Sequence, residues 1–412
     1  MFKKDKQYYK FSLYGFLKNL RFFEPFFILF LRDKGLSFTE IGVLYATREI
    51  LINIFEIPTG ILSDVLGRRR TMVWSFSAYI ISFIIFYFTS SFAVFFVAIL
   101  FFSFGETFRT GTHKAMIFHY LELNNWKKYK VKYYGNTRSW SQVGSAISSI
   151  IAAFLVVYTG DYSIIFIAST IPYLLDLINL ATYPKILDGN LQKFSFSELK
   201  NSFSKVIKDV LKSFKNKIFL KTIISSAIYA AYYKALKDFL QPIIKTFAVT
   251  LPILMGLETQ QKTSIIVGGI YSVLFLLTAI SSRKAEKVSK KFKSLEAAMN
   301  FTLIIGLAVG LFSGVFYNFE MYILAIILFI LIYVIENIRK PITTTKVSET
   351  IKQESMATGL STESQFETLF TALFALLMGI FADKFNVGIA VIIVTLIILG
   401  ITPFIIVKNQ DS

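Results

Sequence analysis

The chain contains no cysteine and only two histidines among its 412 residues. The lack of cysteine excludes disulfides and every zinc or haem site that depends on thiols. The two histidines, His113 and His119, are spaced so that they lie on different faces of a helix. Neither a Gly-x-Ser-x-Gly sequence nor a phosphate-binding loop is present. We therefore expect neither an enzyme nor an ATP-driven pump, and no catalytic residue, metal or bound cofactor.

Long apolar runs dominate the sequence instead. Hydrophobic residues make up 54% of the chain and its mean hydropathy is +0.58, whereas soluble domains are about 45–50% apolar. The excess lies in runs such as residues 80–88, 92–104 and 322–335. Because a bilayer core needs about 20 apolar residues per helix, the chain has room for about twelve membrane-spanning helices with short loops. The sequence therefore predicts an all-α polytopic membrane protein.

The apolar runs give approximate bounds for each helix. We predict helices at residues 12–32, 37–62, 71–89, 92–121, 134–158, 162–184, 218–247, 262–281, 296–318, 321–345, 361–383 and 386–407. An even number of membrane crossings places both termini on the same side.

The charge distribution gives the orientation. The formal net charge is +18, which in a soluble chain would point to nucleic acid. Here lysine and arginine concentrate in alternate loops, for example at residues 68–70 and 283–293, and positive loops face the cytoplasm. We expect a monomeric, multi-pass protein of the cell membrane with both termini in the cytoplasm. Its partners are the lipid bilayer and a small-molecule substrate, not nucleic acid.

The longest loop divides the chain into two halves. We predict an N-terminal bundle at residues 1–186, a cytoplasmic amphipathic linker at 187–217 and a C-terminal bundle at 218–412. Ser195 and Glu198 have the spacing of a capping box, and apolar and lysine residues alternate with helical periodicity after them. We expect this linker to lie on the anionic cytoplasmic surface of the membrane, although a simple connecting segment would serve equally well.

Two short patterns recur in both halves, as a repeat-built transporter predicts. They are the Glu-x-x-Arg pairs Glu106/Arg109 and Glu336/Arg339, and the Gly-Ile-x-x-Asp segments at residues 60–64 and 379–383.

The loop after the second predicted helix reads GILSDVLGRRR over residues 60–70. This loop resembles the signature motif of the major facilitator superfamily. The resemblance implies two pseudo-symmetric six-helix bundles and a motif that latches them in the outward-facing state. The gate residues that it implies are Gly60, Asp64, Gly67, Arg68 and Arg69. The alternative interpretation of the motif is a solvated basic turn.

Many ionisable residues lie within the predicted helices, where a charge is costly and marks a pathway or an ion pair. The candidates for contact with substrate or proton are Arg21, Glu24, Glu49, Glu56, Glu106, Arg109, His113, Lys114, Arg138, Glu336, Arg339, Glu363 and Glu367. The family places its third, sixth, ninth and twelfth helices outside the central cavity. Here the third, ninth and twelfth are nearly free of charge, whereas the sixth departs from the pattern with Asp176. This segregation indicates a polar cavity.

The roles of the candidates divide by charge. Buried carboxyl groups can titrate near neutral pH, so Glu24, Glu49, Glu56 and Glu106 are candidate proton carriers. Arg109, His113 and Lys114 are candidate contacts for an anion or another substrate. The alternative for any one of them is an ion pair that forms a gate.

The function that the resemblance implies is secondary active transport of a small organic solute by alternating access. We expect proton-coupled efflux driven by the proton gradient, because exporters are common among facilitators of this length. The alternative is proton-coupled uptake of a sugar, an organic acid or a peptide. A protein of this fold that senses without transporting would usually carry an added cytoplasmic domain.

Overall fold

The computed structural model of the chain describes residues 3–189, 217–252, 256–349 and 356–407, with six single positions between 191 and 208. Within these residues all regular structure is helical. The amphipathic linker helix predicted after residue 187 falls almost entirely outside them.

Fifteen α-helices follow one another along the described chain. They are α1 (Lys6–Lys18), α2 (Phe27–Asp33), α3 (Phe38–Leu66), α4 (Arg68–Phe88), α5 (Phe92–Arg109), α6 (Thr112–Leu123), α7 (Lys130–Thr159), α8 (Ile164–Ala181), α9 (Lys217–Leu236), α10 (Leu240–Thr250), α11 (Thr259–Ser289), α12 (Leu295–Asn318), α13 (Tyr322–Glu349), α14 (Met356–Lys384) and α15 (Val387–Ile405).

Each of the twelve predicted segments is helical, but three are interrupted. The expectation of unbroken helices over residues 12–32, 92–121 and 218–247 was wrong. The first segment breaks before a short 3-10 turn containing Pro25, and the last breaks just before Pro242, because proline lacks the donor that continues a helix. The middle segment breaks at Gly111, whose φ of +80° is left-handed.

Nine helical segments in the described part of the chain are long and apolar enough to cross a membrane. They are Arg68–Phe88, Phe92–Leu123, Lys132–Thr159, Ile164–Ala181, Thr259–Ser289, Leu295–Asn318, Tyr322–Glu349, Thr362–Lys384 and Val387–Ile405. The first predicted segment is not among these nine because it is broken into shorter helices. The seventh contains a helix of 20 residues, α9, but this helix carries three lysines. The second, α3, is absent because it carries several charges, among them Arg48, Glu49 and Glu56.

The first compact unit comprises the described residues of Met1–Phe30, Leu51–Lys200 and Gln260–Phe275. In it α4 packs against α5 and α8, and α1 packs against α7 and α8. Aromatic rings fill the space between these helices: the ring centroids of Phe86 and Phe166 are 4.8 Å apart. Such apolar packing positions the polar residues of α1, α5 and α7.

The second compact unit comprises the described residues of Leu31–Ile50, Asn201–Thr259 and Leu276–Ser412. Here α12 packs against α13 and α15, and α9 packs against α14. The beginning of α3 lies against the end of α14, where a Cβ atom added to Gly42 would be 2.6 Å from the Ala375 carbonyl oxygen. Small residues at this crossing allow the two backbones to touch.

These compact units differ from the predicted halves at two places. Residues 31–50 belong to the second unit and residues 260–275 to the first. The bounds 1–186 and 218–412 for the two bundles therefore stay a prediction.

Gly379→Ala is expected to destabilise the protein, because the new Cβ would collide with the backbone carbonyl of Phe38. Overpacking of this kind costs about 1–3 kcal/mol. Thermal unfolding in detergent should therefore show a lower midpoint. The matched control is Gly400→Ala, whose Cβ would meet open space and which should leave the midpoint unchanged or slightly raised. Equal midpoints for the two variants would contradict the close contact.

Candidate functional site

The predicted gate motif spans the end of α3 and the beginning of α4. Gly67 precedes α4 with a φ of +92°, and a Cβ atom there would be 2.8 Å from the Asp188 carboxyl carbon. The Arg69 backbone N–H donates to the Asp188 carboxylate at 2.8 Å, and the Arg69 guanidinium lies 3.8 Å from it. A carboxylate is favourable at a helix N-terminus, so Asp188, which the sequence analysis did not select, holds this loop.

The other residues of the gate motif are more exposed to solvent or make fewer contacts. Gly60 and Asp64 are exposed near the end of α3, and Arg68 is half-buried. Asp64 forms no hydrogen bond or ion pair with any residue that the structure describes. The latch role of the motif stays a prediction.

The second Gly-Ile-x-x-Asp segment makes the contact of a helix cap. The Asp383 carboxylate accepts hydrogen bonds from the backbone N–H groups of Phe38 at 2.8 Å and Thr39 at 2.6 Å. These are the first residues of α3, whose N–H groups lack partners within the helix. The end of α14 is thus joined to the beginning of α3 within the second unit.

Glu106 is the centre of an ion-pair cluster in the first unit. Its carboxylate pairs with Arg109 on the same helix and with Arg21, at 3.4 Å. Tyr79 on α4 donates its hydroxyl hydrogen to the same carboxylate and accepts from Arg109 Nε at 3.2 Å. The cluster therefore joins α4, α5 and the turn after α1. Its geometry fits the predicted ion-pair role of Glu106 more closely than that of a free proton carrier.

His113 and Lys114 lie at the beginning of α6, directly after the break at Gly111. The His113 ring is buried and stacks on Tyr14, with ring centroids 3.5 Å apart. Its Nε2 shares a hydrogen bond of 3.2 Å with the Tyr183 hydroxyl group. Lys114 is exposed, and its ammonium group lies 5.7 Å from the Tyr134 ring centroid. His113 is thus an anchored ring, whereas Lys114 is available to solvent.

A cavity of about 330 Å³ opens between α1, α6 and α7 in the first unit. Its polar lining includes Lys18, Arg109, His113, Lys114, Arg138 and Gln142. None of the residues that line it, all of them in the described part of the chain, is an aspartate or glutamate. The break before α6 lies in the wall of this cavity, since Gly111 is one of the lining residues.

Glu367 on α14 bridges two lysines in the second unit. Its oxygens lie 2.6 Å from the Lys234 ammonium group and 3.2 Å from that of Lys340. One turn earlier, Glu363 accepts a hydrogen bond from the Ser226 hydroxyl group. These contacts join α9, α13 and α14 through charged groups.

Arg339 is fully buried and satisfied mainly by backbone oxygens. Its guanidinium donates to the carbonyl groups of Met299 and Ser225 and to the Thr302 hydroxyl oxygen at 2.9 Å. Because these acceptors belong to α9 and α12, Arg339 holds α13 against both helices. Substrate contact by this residue stays a prediction.

Glu336, one turn before Arg339, is buried, with 6% of its surface exposed. No residue in the described ranges forms a hydrogen bond or ion pair with its carboxyl group. Charged groups within electrostatic reach of it include Lys340, Glu367, Arg339 and Lys234. The recurrent Glu-x-x-Arg pattern therefore has different outcomes in the two units: Glu106 bonds to three side chains, whereas Glu336 bonds to none among the described residues.

The remaining candidates lie in the first part of the chain. Glu49 is buried and pairs with the adjacent Arg48 at 2.9 Å. Glu24 and Glu56 are half-buried, and Arg138 is exposed in the cavity wall. Asp238, which the sequence analysis missed, is buried and accepts a hydrogen bond of 2.8 Å from the Tyr45 hydroxyl group.

Membrane-length helices with ionisable residues buried inside each unit define a polytopic membrane transporter. Comparison with known sequences makes this specific. The sequence profile of the Major Facilitator Superfamily matches residues 15–363. The chain belongs to this superfamily of secondary transporters.

Individual relatives are distant in sequence. An uncharacterised MFS-type transporter, YxaM of Bacillus subtilis (strain 168), is 23% identical over 269 residues, which are 65% of this chain and 63% of that protein. The match thus spans somewhat less than two thirds of the relative's length.

Solved structures share the fold. The nucleoside transporter NupG has a TM-score of 0.76 at 13% identity, covering 98% of this chain and 100% of NupG. A POT family transporter in complex with 5-aminolevulinic acid has a TM-score of 0.64 at 15% identity, with 97% and 94% covered. At these identities the likeness establishes the fold alone.

Proposed function

We propose that the chain is a proton-coupled exporter of a small organic solute, working by alternating access in the cell membrane. In this proposal the protein acts as a monomer, its two termini lie in the cytoplasm, and the proton gradient takes the place of any bound cofactor. Transport, not catalysis, is its function.

The observation that carries the proton coupling is the state of Glu336. A carboxyl group that is buried without a hydrogen-bonding partner is costly in its charged form. Such a group is stabilised by binding a proton, and a change in its surroundings changes its proton affinity. Glu106, Glu49 and Glu367 are instead paired with cations. We therefore assign the carrier role to Glu336 ahead of the other candidate carboxylates.

Export is the proposed direction because the chain resembles facilitators in which export is common. The positive loops after the second and eighth predicted helices support the orientation, since they place these loops in the cytoplasm.

The decisive experiment is solute flux in proteoliposomes with and without an imposed pH gradient, using a panel of anionic, cationic and neutral solutes. Flux of at least one solute that accelerates under the pH gradient, and stops when a protonophore removes it, would support proton coupling. Flux that is indifferent to the gradient would contradict it.

Direction is tested with membrane vesicles of defined orientation. Everted vesicles, whose interior becomes acidic when they are energised, should accumulate the solute of an exporter. Accumulation in right-side-out vesicles alone would favour the uptake alternative.

A further inference from the structure

The lining of the cavity in the first unit carries an excess of positive charge, because none of its residues, all of them described, is an aspartate or a glutamate. Four basic side chains, Lys18, Arg109, Lys114 and Arg138, line about 330 Å³ of space. Arg109 is matched by Glu106. Neither Lys18 nor Arg138 forms a hydrogen bond or ion pair with a residue of the described ranges.

The carboxylates nearby do not offset this excess. Lys18 lies within electrostatic reach of Arg109, Arg21 and Arg138, and of two carboxylates, Glu24 and Asp176. Like charges in one wall repel one another, most strongly where burial removes the water that would otherwise screen them, as at the half-buried Lys18. The second unit is different, because there Lys234 and Lys340 share Glu367.

We infer that this cavity binds the anionic group of the solute, a carboxylate or a phosphate held between Lys18 and Arg138. This inference rests on the proposed function, since it names the substrate class of the transporter. The planar guanidinium of arginine presents paired donors that match both kinds of anion. Asn19, Ser141 and Gln142 supply neutral hydrogen-bonding groups in the same wall.

The rest of the wall selects an organic anion over an inorganic ion. Phe11, Tyr14 and Tyr134 line the cavity beside the cations, and the stack of Tyr14 on His113 fixes one ring face. Ligand sites commonly combine such apolar surface with a few polar groups and measure about 300–1,000 Å³. The volume here is at the lower end, which fits a small solute.

The charge of the ligand also agrees with export. With the cell interior negative, the membrane potential drives an anion outward by about 2.3 kcal/mol per charge at 100 mV.

Binding is tested on the purified full chain in detergent, at constant ionic strength, by the rise in unfolding temperature with ligand concentration. The probes are benzoate with its neutral isostere benzamide, glycerol 3-phosphate with glycerol, and inorganic phosphate. We expect saturable stabilisation by at least one organic anion and none by the neutral partner. Stabilisation by neither organic anion, or equally by a neutral partner, would overturn the inference, as would inorganic phosphate binding as tightly as the organic anions.

Variants locate the site. Arg138→Gln and Lys18→Met should each weaken the apparent affinity about tenfold or more, because a charge-assisted hydrogen bond is lost. Lys132→Gln removes the same charge from an exposed position on α7 outside the lining and should leave the affinity unchanged. Unchanged affinity in both cavity variants would overturn the assignment.

Failure of transport is separable from failure of this site. A protein that binds organic anions through Arg138 but carries no flux would refute the transport proposal alone. One that carries a cationic or neutral solute under a pH gradient, without binding anions, would refute the anion site alone.

Discussion

Glu336→Gln is expected to abolish flux driven by a pH gradient while leaving solute exchange across the membrane intact. Glutamine keeps the size and hydrogen-bonding capacity of the side chain but cannot bind and release a proton. In proteoliposomes, gradient-driven accumulation should fall to the level of protein-free vesicles. Counterflow, in which labelled solute exchanges for unlabelled solute, requires no proton movement and should persist.

Several other titratable groups lie near Glu336 and could carry the proton in its place. The charged and titratable groups near it are Arg339 and Lys340 on its own helix, Lys234 and Tyr229 on α9, and Glu367 on α14. The matched control is Glu286→Gln, at an exposed position near the end of α11. This variant should accumulate solute under a pH gradient at the rate of the native protein. If Glu336→Gln still accumulates solute at the native rate, the proton is carried elsewhere.

Glu106→Gln is expected to be the most destabilising single change among the candidate carboxylates. It removes the counterion of Arg21 and Arg109 and replaces one of the two carboxylate oxygens, which accept from these arginines and from the Tyr79 hydroxyl group, by an NH2 donor. Removing one partner of a fully buried ion pair costs about 3–5 kcal/mol, because the other charge is left uncompensated. The side chains of this cluster are 15–19% exposed, so the loss should approach the lower end of that range. The unfolding midpoint in detergent should therefore fall well below that of the native chain.

A double substitution separates lost pairing from other effects. Adding Arg109→Gln to Glu106→Gln removes one of the stranded charges, so the double variant should be more stable than the sum of the single losses predicts. Glu286→Gln breaks an exposed pair with Lys290, both more than 70% exposed, and should cost less than about 1 kcal/mol. Strictly additive losses at residues 106 and 109 would show that the cluster is not energetically coupled.

The apolar runs were sufficient to predict the helical segments, because spanning a bilayer requires long stretches without charge. The breaks at Asn19, Gly111 and Lys237 were not predictable from hydropathy. Glycine and proline are tolerated inside membrane helices, where neighbouring groups satisfy the freed backbone. Their presence in a run therefore does not tell whether the helix bends or stops.

The candidate site was predictable where its contacts are local. The spacing of Glu106 and Arg109 places both on one helix face, and the structure joins them. Arg21 and Tyr79, which complete that cluster, are distant in sequence, and no periodicity signals such a contact. Asp188 was missed for the same reason, although a basic helix N-terminus at Arg69 is a general signal that a carboxylate is needed nearby.

The roles of the candidate residues also depend on contacts between residues that are far apart in the sequence, so they could not be assigned from the sequence. Glu106 and Glu336 occur in identical Glu-x-x-Arg patterns, yet within the part of the chain that the structure describes only Glu106 is paired. What separates them is that Arg21 and Tyr79 lie within bonding distance of Glu106, a contact that only tertiary structure supplies.

The residues that form the cap at the beginning of α3 should differ in how far they tolerate substitution. Asp383 bonds only to backbone N–H groups, so the side chains at positions 38 and 39 are free to drift during evolution without loss of the contact. The acid at 383 and the small residues at 42 and 379 have no such freedom, because a longer side chain would force the two helices apart. Among orthologues, these three positions should vary together or not at all, whereas their bonded partners diverge.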